Sequence, residues 1–154
     1  MADTRYLKSI VEDNVRTWLK DKFDQPFTSM FLQLIGVDGT ARTHEFDAVS
    51  EDGAIVCSIK TASWKTSSKR RGSGKVHGAY AELYFLDHVG ARERYLILTD
   101  PEFFKCFTRE TQGRLASGIA LLHCPLAADL CREVAEIRRK SRIELGFSES
   151  TEEI

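Results

Sequence analysis

Asp47 and Lys60 are the two side chains whose types and spacing point most directly to chemistry. Lys60 ends an apolar run, Ala54-Ile55-Val56-Cys57-Ser58-Ile59-Lys60, and Asp47 lies on the alternating run before it, across Asp52-Gly53. Asp-Gly between two such runs is a strong hairpin signal, because tight two-residue turns need backbone angles that these residues tolerate. Counting outward from that turn sets Glu51 opposite Ala54, Val49 opposite Val56, Asp47 opposite Ser58 and Glu45 opposite Lys60. Strand alternation then sends Phe46, Ala48, Ile55, Cys57 and Ile59 to one apolar face. The other face gathers Glu45, Asp47, Ser58 and Lys60 at one end, with Val49 and Val56 near the turn. A one-residue slip mixes the two sets, so the pattern specifies the register.

A carboxylate and a lysine on one face suit phosphodiester hydrolysis. Carboxylate oxygens hold Mg2+, which keeps some waters and takes the rest of its shell from phosphate. The ion lowers the pKa of a bound water and stabilises charge on the leaving oxygen. A lysine beside it can orient or deprotonate the water, or offset charge developing on phosphate oxygens. The plainer alternative is a cross-strand pair worth about 0.2–1 kcal/mol. On the hairpin alone the plainer alternative prevails, because such pairs are common.

These side chains need a scaffold, and the rest of the pattern describes one. Thr4 to Phe23 has helical periodicity, with Tyr6, Ile10, Val11, Val15, Trp18 and Leu19 in one stripe, and Pro26 closes it. Strands are expected over Phe27–Val37, His44–Ser50 and Ala54–Thr61. A Ser-, Gly- and Lys/Arg-rich loop comes next, over Ala62–Gly74. A mostly apolar helix over Lys75–Val89 ends at Gly90, and Arg94–Thr99 reads as a buried strand. Asp100 and Pro101 are a cap and a first helical residue for a helix running to about Leu115. A strand over Gly118–Cys124 and a helix from Leu126 to about Ile143 complete the order. Hairpins succeeded by strand-helix alternation imply an α/β protein with a mixed sheet flanked by helices.

The order and the residues together resemble the PD-(D/E)XK nuclease superfamily, the restriction-endonuclease-like fold with an αβββαβ core. The resemblance covers roughly residues 5–100 and rests on Glu12 in the first helix, Phe46-Asp47, and Ser58-Ile59-Lys60. It implies a metal-dependent DNA endonuclease with Mg2+ as its cofactor and Mn2+ as a substitute. Asp47 matches the first metal-binding aspartate, with Glu45-Phe46 in place of the usual proline. Lys60 matches the motif lysine, and Glu12 the helix-one glutamate used by some members. Ser58 stands where the family has Asp or Glu, so a neutral hydroxyl replaces an anionic ligand. Some restriction endonucleases with Ser-x-Lys supply that carboxylate from the next helix. Glu82 is the candidate here, with Glu45 as a second. Restriction-type enzymes commonly pair to cut two strands, which makes a homodimer an expectation, although no residue in the sequence marks its interface.

The loop after Lys60 concentrates Lys65, Lys69, Arg70, Arg71 and Lys75 in a chain of net charge -1. Its glycines and serines let backbone amides approach phosphate. Trp64 could stack on a base or pack on the sheet edge, and His77 could donate to a phosphate. The bland reading of this loop is a solvated connection. A second functional reading is therefore a catalytically inactive nuclease-fold protein that binds DNA or a partner protein through the loop. A third is an interaction subunit without a nucleic-acid role.

Size and composition set the outer limits. At 154 residues, 42% hydrophobic and 29% charged, the chain suits one domain, expected over residues 1–147, with an acidic tail at 148–154 expected to lack fixed structure. Its near-neutral charge argues against nucleic-acid binding over the whole surface. No apolar stretch approaches the ~20 residues of a membrane helix. The polar N-terminus lacks a signal-peptide core, so a cytoplasmic protein without a membrane partner is expected. Cys57, Cys106, Cys124 and Cys131 form no CxxC pair and read as buried, reduced thiols.

Overall fold

A computed structural model describes residues 4–36, 38–65 and 73–144. Their elements run α1 (Thr4–Phe23), β1 (Phe27–Leu34), β2 (Arg42–Ser50), β3 (Ile55–Lys60), α2 (Ser73–Asp87), β4 (Glu93–Leu98), α3 (Pro101–Glu110), β5 (Ile119–His123) and α4 (Ala128–Glu144). The expected order is reproduced, with shifts of a few residues at most ends. Lys69, Arg70, Arg71 and the acidic tail lie outside the described residues. No described helix is long and apolar enough to cross a membrane.

The chain divides into two compact units. One unit comprises Met1–Asn14 and Leu126–Ile154. Its buried side chains include Leu7, Val11, Leu130 and Val134, together with the carboxylate-bearing Glu12. The other, Val15–Pro125, holds the second half of α1, the whole sheet, α2 and α3.

The sheet is five-stranded and mixed, in the order β1-β2-β3-β4-β5. The first three strands are antiparallel, and β3, β4 and β5 run parallel. Parallel strands are covered on both faces, and β3 obeys this: every residue from Ile55 to Ile59 is buried. Its expected polar face is therefore buried as well. Val56 packs with Leu96 and Leu98 of β4 and with Val76, Ala79 and Leu86 of α2. On the opposite face, Phe23 near the end of α1 meets Tyr95 with ring centroids 5.8 Å apart.

The chain reverses near Asp52-Gly53, but not in the expected two-residue turn: β2 ends at Ser50, β3 begins at Ile55, and the Gly53 N–H donates to the Ser50 carbonyl at 2.9 Å. Gly53 adopts a φ of 74°, which favours glycine. The Asp52 carboxylate accepts the N–H of Ala54 and the hydroxyl of Ser50, and Ser50 Oγ in turn accepts the N–H of Ile55. Asp100 caps α3 by accepting the Phe103 N–H at 3.0 Å, with Pro101 next to it. That helix stops at Glu110, short of the expected Leu115. Thr111 returns its hydroxyl to the Phe107 carbonyl, and Gly113 turns the chain with a φ of 79°.

Candidate functional site

The predicted register holds where β2 and β3 pair: Ala48 faces Cys57 and Val49 faces Val56. Beyond Ala48 the described ladder ends. Thr28 pairs with Val49 and Met30 with Phe46, so β2 carries one more residue than β1 between these pairs. This is a β-bulge at Asp47-Ala48, and a bulge reverses the faces of the residues beyond it. Phe46 therefore joins the α2 side of the core with Val49, instead of sharing a face with Ala48. Glu45 sits opposite Phe31 and is exposed, with no ion pair to Lys60 among the described residues. The expected Glu45–Lys60 cross-strand pair does not form because the bulge moves β2 out of step.

The bulge takes two backbone groups out of the ladder, and side chains replace the lost partners. The Asp47 carboxylate accepts the N–H of Ile59 at 2.7 Å. Arg16 of α1 donates its Nε to the Asp47 carbonyl at 2.9 Å. A charge-assisted bond of this kind is stronger than a neutral one. Asp47 is thereby anchored at the Ser58–Ile59 peptide, one residue before Lys60, while remaining partly exposed. Its charge, with that of Glu93, adds to the burial that pushes the Cys57 thiol far above the ordinary range. Cys57 is an inert core group, as is Cys124, which burial lifts to about 11. Cys131, expected buried, is exposed.

Lys60 leaves the sheet toward α2. Its Nζ lies so close to the helix that a methyl group at Gly78 would stand 3.3 Å from it. Lys60 is partly buried; its carbonyl accepts the Thr99 N–H at 3.2 Å, and its ammonium has no hydrogen-bond or ion-pair partner among the described residues. Glu82 is four residues along α2 from Gly78 and so on the same stripe of the helix. It pairs with His44 of β2, Nε2 to Oε2 at 3.5 Å. The His44 ring stacks on Phe85 at 3.8 Å and meets Phe46 edge-on at 4.9 Å.

Ser58, at the position of the motif carboxylate, is fully buried, and its hydroxyl has no hydrogen-bond partner among the described residues. Glu12 is buried in the other unit, with Lys8 at 3.7 Å. Trp64 packs edge-on to Phe103 at 5.3 Å, and its backbone N–H donates to Asp100. That is the packing fate, not a free stacking platform. Lys65 pairs with Glu102 at 3.4 Å, His77 is exposed, and Lys75 is partly exposed.

Among the described residues, no group of three or more His, Cys, Asp or Glu side chains stands close enough to hold a metal ion. The Val15–Pro125 unit does bring together Asp47 with the Ser58–Lys60 strand, and Lys60 with the Gly78–Glu82 face of α2. His44, Arg16 and Gly78 were missed from the sequence. Only Gly78 left a sign there, as a lone glycine inside a helical pattern. No family model, curated protein or solved structure matches this chain.

Proposed function

We propose that this protein is a restriction-endonuclease-like domain that hydrolyses DNA phosphodiester bonds. The observation that carries this reading is Lys60: a partly buried lysine whose ammonium has no partner among the described residues and lies against α2, one residue on from the Ile59 N–H that Asp47 accepts. A buried cation without an anion is costly, so such a group is suited to receive one. Phosphate supplies that charge. The helix-three strands-helix-strand order supports the same family.

The residues fit Mg2+ at the minimum. Such a site needs only one or two carboxylates beside water and phosphate oxygens. Asp47 and Glu82 are both partly exposed oxygen donors and would hold the ion; Glu45 is the remaining candidate within the Val15–Pro125 unit. When bound, Mg2+ would supply an acidified water and charge stabilisation. Lys60 binds the scissile phosphate and offsets the charge gathering on its oxygens. Asp47 orients the attacking side through an acid fixed by the Ile59 N–H. Gly78 leaves the space in which Lys60 lies. Glu82 would exchange His44 for its new partner.

A second reading is a catalytically silent DNA-binding protein. The buried, neutral Ser58 and the absence of a three-ligand cluster among the described residues favour it. Purified protein with randomised duplex DNA separates the two. The nuclease reading expects cutting that Mg2+ or Mn2+ starts and chelation stops. The silent reading expects binding that weakens steeply with salt and no cutting.

A further inference from the structure

The sheet ends in β1, whose outer edge has no neighbouring strand among the described residues. Edge strands expose a row of backbone donors and acceptors, and proteins guard them with lysine, proline, short length or a cover. β1 has none of the sequence guards. Its eight residues, Phe27-Thr-Ser-Met-Phe-Leu-Gln-Leu34, carry no charge and no proline. They display Met30 at 44% exposure and Phe31 at 67%, on opposite faces of the sheet. Ile35 continues the apolar surface at 66%.

We propose that β1 pairs antiparallel with β1 of a second copy, joining two five-stranded sheets across a twofold axis. The backbone edge selects an extended strand as its occupant, because only a strand matches alternating N–H and C=O groups. Charge selects a second copy. An uncharged strand meets no repulsion from itself, and the flanking charges are Asp24 at one end and Asp38 with Arg42 at the other. Exposed Asp24 precedes Phe27, while exposed Arg42 lies opposite Leu34. Neither has an ion-pair partner among the described residues. Antiparallel pairing brings the Asp24 end of each copy toward the Arg42 end of the other. An axis through Phe31 sets the two Phe31 side chains face to face and Met30 against Leu32. Pairing over eight residues supplies roughly eight backbone hydrogen bonds, near the ~10 of an ordinary interface. The pairing does not depend on the proposed activity.

Sedimentation velocity on the full chain across a concentration series tests it. The wild type is expected to sediment as a dimer. Phe31→Lys sets like charges across the axis, and Gln33→Lys, opposite Ser29 of the second copy in this register, places a guarding lysine on the edge; each should weaken association at least tenfold, with far-UV circular dichroism unchanged. Tyr84→Lys, at an equally exposed apolar site on α2, should leave the dimer intact. A monomeric wild type at every concentration overturns the proposal. So does a dimer that survives both β1 substitutions.

Discussion

The Asp47 carboxylate accepts the backbone N–H of Ile59, which ties the acid on β2 to the Ser58–Ile59 peptide, one residue before Lys60 on β3. The bond exists because β2 bulges there, and the bulge takes Ile59 and the Asp47 carbonyl out of the regular ladder. One side chain thus serves both the hairpin and the proposed chemistry.

That double role separates two substitutions at Asp47. Asp47→Asn keeps an acceptor for Ile59 and should cost under about 1 kcal/mol of stability. Asp47→Ala leaves the N–H unmet and should cost about 1–3 kcal/mol. Both should abolish cleavage. Urea denaturation reads the stability difference, and equal losses would remove the anchoring role.

Gly78 should respond in opposite directions in stability and function. Alanine is the better helix former by about 0.8–1 kcal/mol, so Gly78→Ala should raise the melting temperature. Its methyl group would crowd Lys60 Nζ at 3.3 Å and displace it, lowering cleavage or DNA affinity several-fold. A variant unchanged in both would show that the close approach has no functional weight.

Ser58 bears on the missing carboxylate. Its hydroxyl is buried without a partner among the described residues, so Ser58→Ala should be neutral or stabilising, by up to about 1 kcal/mol. Activity should be retained if Asp47, Glu82 and Lys60 carry the reaction. A large loss of cleavage by a stable Ser58→Ala protein would place the hydroxyl in the mechanism.

The hairpin turn supplies an acid dependence. The Ala54 N–H, with the Ser50 hydroxyl second, holds the Asp52 carboxyl below its ordinary value. A depressed carboxyl contributes stability that is present above its unfolded pKa and is lost as pH falls through the folded one. Melting temperature should therefore drop on acidification below the ordinary carboxylate range. Asp52→Asn should lower it at neutral pH and flatten that part of the profile. An identical slope in both proteins would contradict this.

Much of the fold was legible because its signals are local. Asp52-Gly53 fixed the hairpin, Asp100-Pro101 the start of α3, and the apolar stripe the full length of α1. The bulge was not legible, since Asp47-Ala48 contains no glycine and only the pairing with β1 reveals the extra residue. The burial of both β3 faces was readable in principle: Ile55-Val56-Cys57-Ser58-Ile59 is nearly continuous apolar sequence, the mark of a buried parallel strand. The His44–Glu82 pair depends on tertiary packing of α2 over β2 and has no sequence signature.

The most direct measurement is the cutting rate of randomised duplex DNA in Mg2+, compared between wild type and Lys60→Ala. The substitution should reduce the rate by about a hundredfold or more, the loss expected when a charge-stabilising donor is removed, while circular dichroism shows an unchanged fold. A wild type that cuts in neither Mg2+ nor Mn2+, or a Lys60→Ala protein that cuts at the wild-type rate, would contradict the proposed activity.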